Sequence, residues 1–203
     1  GPRVAVVPEL PSTTVVAAVV GAKGGGADGD VMAWLLGKGP MRTMLNQVPG
    51  SAREGLHAIA ANEKGLMVAA WLDLRKKGTR IYGAISRNGG RNWEPDRMWY
   101  ESPSGSVCEC CHLNLAVSKS GEIFLMFRNS IDGARDMYLS RSKNGVQWET
   151  QKIGQGTWML KACPMDGGDL KLNAKGEPLV AWRRDKQIYF GGLDGKPETL
   201  VGE

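Results

Sequence analysis

Apolar positions along this chain fall in short runs separated by polar, turn-rich stretches. Three runs repeat closely: Gly65-Leu-Met-Val-Ala-Ala-Trp71, Gly121-Glu-Ile-Phe-Leu-Met-Phe127 and Gly176-Glu-Pro-Leu-Val-Ala-Trp182, with starts 56 and 55 residues apart. Each has the length of a strand and follows a Lys, Ser and Gly turn signal. A second set follows at a fixed delay, where Ile81-Tyr82, Met137-Tyr138 and Ile188-Tyr189 each open another short run after a polar loop. The first fifty residues fit the scheme less clearly, with strands near Thr14 to Val20 and Val31 to Leu36 around a Gly24-Gly25-Gly26 loop. No pattern of 3.6-residue period is long enough to predict a helix.

Each repeat offers four strands, for example His57 to Ala61, Leu66 to Leu72, Arg80 to Ser86 and Arg97 to Tyr100, which is the makeup of one propeller blade. Such a meander cannot bury both faces alone, whereas blades stacked around an axis cover one another. The competing architecture is a β-sandwich with coincidental spacing.

Composition sharpens this picture. Glycine, at 28 of 203 residues, is roughly twice as frequent as usual, as a turn-rich all-β chain requires. A net charge of +5 with no run of five or more basic residues argues against nucleic acid. Apolar stretches such as Val15 to Val20 are too short for a membrane-spanning helix. Four cysteines suit disulfides in an oxidising compartment, a periplasm or the cell exterior. Gly1-Pro2 looks like the scar of a cleaved tag, so residues 3–203 read as a single, partial propeller domain.

Ser86-Arg-Asn88-Gly-Gly90-Arg-Asn-Trp93 matches the Asp-box pattern Ser-x-Asp/Asn-x-Gly-x-x-Trp, in which Asn caps turn amides and Trp plugs the hairpin against its neighbour. In a weaker copy, Ser142-Lys-Asn144-Gly145-Val-Gln-Trp148, the Trp falls 55 residues later but Ser and Asn are out of step. A third copy near Asp194-Gly195 has lost its Trp. Box and period together resemble the sialidase-like (BNR-repeat) propellers. The runs Ser106-Val-Cys-Glu-Cys-Cys-His112 and Ala162-Cys-Pro-Met-Asp-Gly-Gly168 look like those of an exported bacterial subgroup, and the likeness covers about residues 14 to 203. It implies an all-β propeller of four-stranded antiparallel blades, this chain supplying about four blades of a six-bladed ring. A further chain segment or a homo-oligomer would complete the particle.

In a propeller, the loops leading into innermost strands and those joining second to third strands share one face. Here that face gathers Arg53, Glu54, His57, Arg75, Arg128, Arg135, Asp136, Asp166 and Arg183. Arg75, Arg128 and Arg183 are candidates for the guanidinium clamp that the resemblance implies for a carboxylate, or for ion pairs with Asp73, Asp136 and Asp185. Glu54 and Asp166 are candidates for the general acid and base of glycoside hydrolysis, or for loop caps. The expected partner is a glycan or acidic small molecule. The Arg-Ile-Pro run and Tyr/Glu pair of sialidases are not found, and the competing reading is a non-catalytic binding or assembly module.

The cysteines Cys108, Cys110, Cys111 and Cys163 are expected in disulfides of open connectivity, with no cofactor. As an alternative, Cys108, Cys111, His112 and Cys163 would hold a soft ion, Cu or Zn. Cys108-Glu-Cys-Cys111-His112 also reads literally as a haem attachment motif, but four clustered cysteines offer the simpler account.

Overall fold

Asn62, Ser118 and Asn173 set the same turn three times. Their carbonyls accept the N–H of Gly65, Gly121 and Gly176, at 3.2, 3.0 and 2.9 Å, and their side chains accept further amides of the turn. Each glycine has φ between 80° and 96°, a region closed to most side chains. The repeated glycine is therefore a backbone requirement for reversing the chain at that point.

The computed structural model describes residues 1–7, 13–21, 28–37, 39–53 and 55–202. The Gly24 loop and Glu54 lie outside them. The described residues form no helix and build four antiparallel meanders. The first comprises β1 (Arg3–Val6), β2 (Thr14–Gly21), β3 (Asp28–Leu36) and β4 (Met41–Met44). After the two-residue β5 (Ala52–Arg53) come β6 (Ala58–Ala61), β7 (Met67–Asp73), β8 (Arg80–Ser86) and β9 (Arg97–Tyr100). The third holds β10 (Asn114–Val117), β11 (Ile123–Arg128), β12 (Met137–Ser142) and β13 (Glu149–Lys152). The last holds β14 (Asp169–Leu172), β15 (Pro178–Arg184), β16 (Gln187–Gly191) and β17 (Glu198–Gly202). β5 pairs with both β3 and β7, joining the first two meanders into one sheet.

First strands sit side by side: β6 lies against β1 and β10, and β10 against β14. The meanders are thus blades of a β-propeller, and a channel of about 330 Å³ runs between these strands, lined by Val4, Ile59, Leu115 and Leu170 among others.

Strand alternation explains the core. Met67, Ala69 and Trp71 of β7 pack with Val15, Val31 and Ala33 of the first blade, while Val68, Ala70 and Leu72 pack with Leu115, Leu125 and Phe127 of the third. Successive residues point to opposite faces, so a strand held between two blades is buried at every position, as β7 and β11 are. β15 alternates instead. Val180 and Trp182 face the third blade, whereas Leu179 is 40% exposed on the uncovered side.

At the same end of the blades as the Asn62 turn, where the Gly89 N–H donates to the Gly65 carbonyl at 2.9 Å, Ser86 Oγ accepts the Gly90 N–H at 2.9 Å and Asn88 Oδ1 accepts the Asn92 N–H at 2.9 Å. Ser142 and Asn144, expected to be out of step, take the same roles on the Gly145, Val146 and Gln147 amides. With one residue fewer between Ser and Trp, the turn shortens, and Trp148 still packs on Trp99 at 4.7 Å.

Candidate functional site

Beside this channel, and sharing Val4, Ile59, Leu115 and Lys171 with its lining, lies a cavity of about 820 Å³ on the face that carries the loops before β6, β10 and β14. Asn114 opens β10 and Asp169 opens β14, while Lys171 lies two residues on and on the same side of its strand. The Asn114 amide donates to Asp169 Oδ1 at 2.8 Å, and Lys171 Nζ donates to the same oxygen at 3.2 Å. Burial pushes the Asp169 carboxyl up, but Lys171, Asn114 and the Leu170 amide outweigh it and hold the group below the ordinary carboxylate range.

Asp166 forms the second polar cluster. Arg128 Nη2 donates to its Oδ1 at 2.9 Å and Arg183 Nε donates to its Oδ2. Both guanidinium carbons lie 5.1 Å from the ring centre of Trp158, which forms a floor beneath them. The loop bearing Asp166 is pressed on its neighbour, because a Cβ on Gly167 would stand 2.5 Å from the His112 carbonyl. Burial and the charge of Arg3 hold the His112 imidazole below its ordinary value, so it faces the cavity neutral.

Of the residues singled out from sequence, His112, Asp166 and Arg183 line this cavity. Glu54 lies outside the described residues. Arg53 stands 3.8 Å from Glu109 in a half-exposed pair. His57 does not reach the face: it is 1% exposed, and its Nε2–H donates to the Ala17 carbonyl at 3.0 Å across the first two blades. The clamp of three arginines does not form. Arg75 is taken by Asp73 and Asp96 and stacks on Tyr82 at 3.9 Å. Arg128 has a side chain 1% exposed, leaving Arg183 as the member open to the cavity. The ion-pair reading holds for Asp73, but Asp166, not Asp136 or Asp185, carries the carboxylate that answers Arg128 and Arg183. Asp136 is buried, accepting the Trp158 amide at 2.8 Å and Lys152 Nζ at 3.0 Å. Arg135 presents its carbonyl to Arg128 at 2.6 Å, and its Nε is buried without a hydrogen-bond partner.

Asn114, Asp169, Lys171 and Trp158 escaped the sequence reading. Asn114 and Asp169 are 55 residues apart, the repeat spacing, so aligning polar residues at the start of each first strand would have found them.

The four cysteines do not all form disulfides. Cys110 is bonded to Cys163, tying the loop before β10 to the loop before β14. Cys108 and Cys111 are buried thiols whose sulfurs lie 3.4 Å apart. The sulfurs of Cys108, Cys110 and Cys111 all lie within 4.8 Å of one another. With Cys110 and Cys163 bonded together, two thiols remain, short of the four ligands of a closed zinc site, and the set of Cys108, Cys111, His112 and Cys163 is broken by the loss of Cys163. Exposures of 2% and 1% at Cys108 and Cys111 leave no open edge for thioether bonds to a haem.

No protein-family model and no curated protein matches the sequence. Solved structures do match its fold. The Aleuria aurantia lectin in complex with α-methyl-L-fucoside aligns with a TM-score of 0.60 at 12% identity, over 93% of this chain and 55% of the lectin. The same lectin with Fucα1-6GlcNAc aligns with a TM-score of 0.58 at 12% identity, over 93% and 56%. The Bombyx mori GH32 β-fructofuranosidase aligns with a TM-score of 0.52 at 13% identity, over 98% of this chain and 47% of the enzyme. The chain therefore spans about half the length of the structures it resembles, and at such identities the likeness is one of fold: an all-β propeller.

Proposed function

We propose that this chain is part of a glycan-binding propeller whose saccharide site is the cavity beside its channel, and that it binds without hydrolysing. One observation carries this reading. Asn114, Asp169, Lys171 and Arg183 set amide, carboxylate, ammonium and guanidinium groups around one rim with Ile59 and Ile188 among the lining residues, the mixture of donors, acceptors and apolar surface that holds a polyol. Glycoside hydrolysis needs a carboxyl that keeps its proton at working pH opposite a second carboxylate. Asp169 is held ionised, and both oxygens of Asp166 are occupied by arginines. Asp169 is not poised as an acid, and Asp166 has no oxygen free to turn toward a substrate. The cations Arg3, Lys171 and Arg183 against Asp166 and Asp169 leave a small positive excess, which favours neutral or singly acidic saccharides.

A fold shared with a fucoside-binding lectin is in keeping with this reading, and the Cys110–Cys163 bond favours an exported, periplasmic or secreted location. Titration calorimetry against neutral and acidic saccharides, paired with fluorogenic glycoside assays, tests the proposal. Saturable binding without turnover is expected, weakened about tenfold by Lys171→Ala, the worth of one charge-assisted hydrogen bond. Turnover of any glycoside, or no binding across the panel, overturns it.

A further inference from the structure

The cysteine cluster has two tiers. The outer tier is the Cys110–Cys163 disulfide, in which Cys163 is exposed and Cys110 half-buried. The inner tier is the buried pair Cys108 and Cys111. Cys108 joins them, its sulfur 3.4 Å from that of Cys111 and 3.6 Å from that of Cys110. Three sulfurs in van der Waals contact, one of them in a disulfide, are the starting arrangement for thiol–disulfide exchange.

We propose that these cysteines form an internal relay that moves the disulfide from Cys110–Cys163 to Cys108–Cys111. In the first step the Cys108 thiolate attacks Cys110 Sγ, forming the Cys108–Cys110 bond and breaking Cys110–Cys163, whose electron pair leaves on the Cys163 sulfur. The proton of Cys111 passes to solvent and an equal one is taken up by the Cys163 thiolate. In the second step the Cys111 thiolate attacks Cys108 Sγ, closing Cys108–Cys111 and releasing Cys110, which takes up the proton first lost from Cys108. Two thiols and one disulfide stand on each side, so the inner pair is oxidised by two electrons and the outer pair reduced by two, with no outside reagent.

The surroundings favour that direction of attack. The hydrogen bond from Cys111, aided by the Cys110 amide and the charges of Arg135 and Arg128, brings the Cys108 thiol down to about 6 despite its burial. The same contact and burial push Cys111 up, so one thiolate shared by the pair rests on Cys108. Nucleophile and resolving thiol are thereby distinguished.

The consequence reaches the cavity. The Cys110–Cys163 bond anchors the loop that carries Asp166, and the Asp166 amide approaches the Cys111 sulfur. Transfer of the disulfide inward removes the covalent tie between that loop and the third blade, leaving the Arg128–Asp166 pair to hold it, and exposes a Cys163 thiol. This inference stands apart from the saccharide reading and survives its failure.

The test is disulfide mapping of the full chain held at neutral pH with N-ethylmaleimide, acid-quenched at intervals and digested for mass spectrometry. Cys110 and Cys163 are expected to become alkylated while a Cys108–Cys111 linkage accumulates. Cys111→Ser should arrest the relay as a Cys108–Cys110 linkage with Cys163 alkylated, and Cys108→Ser should slow alkylation of Cys163 at least about tenfold. Alkylation of Cys163 at an unchanged rate in Cys108→Ser overturns the proposal. So does wild-type protein that keeps the Cys110–Cys163 linkage throughout, whether or not Cys108 and Cys111 are alkylated, and this arm decides the matter if a variant fails to fold.

Discussion

Arg128 Nη2 meets Asp166 Oδ1 at 2.9 Å, so the buried end of β11 in the third blade is answered by the loop that leads into the fourth. The Arg128 side chain is 1% exposed and that of Asp166 28%. Removing the carboxylate strands a desolvated charge, while water reaches only the Asp166 side. Asp166→Ala is therefore expected to lower unfolding free energy by about 3 kcal/mol, the low end for breaking a buried pair. Denaturant midpoints of wild type and variant, with unchanged slope, give the value, and a loss within about 0.5 kcal/mol would mean that the pair is screened like a surface bridge.

His57 supplies a pH dependence. Burial, outweighing its bond to the Ala17 carbonyl, holds the imidazole below its ordinary 6.5, so it is neutral when folded. Between its folded value and 6.5 the unfolded chain binds the proton and the folded chain does not. Stability thus rises with pH through that window, levels off above 6.5 and is lost on acidification. His112 is shifted the same way and adds to the slope. Urea midpoints between pH 5 and 7.5 should fall on the acid side, and His57→Gln should flatten the curve. A wild-type midpoint unchanged down to pH 5 contradicts the burial of a neutral ring.

The repeat made the fold legible because each blade is a local object. The turns at Asn62, Ser118 and Asn173 and the runs that follow them recur at one spacing, and β7, β11 and β15 fall on the three predicted runs within about two residues. β1 was missed, since Arg3–Val6 is four residues long with one buried, and a first strand of that length is recognisable only once β6 is seen beside it. The site was less legible for a related reason. Which carboxylate meets Arg128 depends on how far the loop at 163–169 reaches across to the third blade, and Asp166 lies 38 residues from Arg128. Local sequence offered Asp136, which folding turned toward Trp158 and Lys152.

Gly83 tests packing without the strain of a left-handed backbone. It sits in β8 opposite Ala70, its φ is not in the left-handed region, and a Cβ there would stand 2.4 Å from the Trp99 ring. Trp99 is itself packed on Trp148, the rings tilted by 34° with centres 4.7 Å apart. The alanine must displace an indole wedged between the second and third blades, so Gly83→Ala is expected to cost about 1–3 kcal/mol, the range for overpacking, with a shift in tryptophan emission. Equal stability and unchanged emission would show that the ring has room to move.

The last blade allows one substitution to be compared on two faces of a sheet. Leu170 of β14 is 1% exposed and packs with Trp182 and the third blade. Leu179 of β15 pairs with Lys171, on the opposite face, and is 40% exposed. Leu170→Ala removes methyl groups from a closed interface and should cost about 2–4 kcal/mol through lost transfer and the cavity left behind. Leu179→Ala removes them from a surface already wet and should cost less than about 1 kcal/mol. Both are read from the same denaturant titration, with the chain at several concentrations. Equal losses that shrink on dilution would mean that the Leu179 face is covered in solution by another copy of the chain, whereas a difference independent of concentration places the edge of the packed core at the inner face of the last blade.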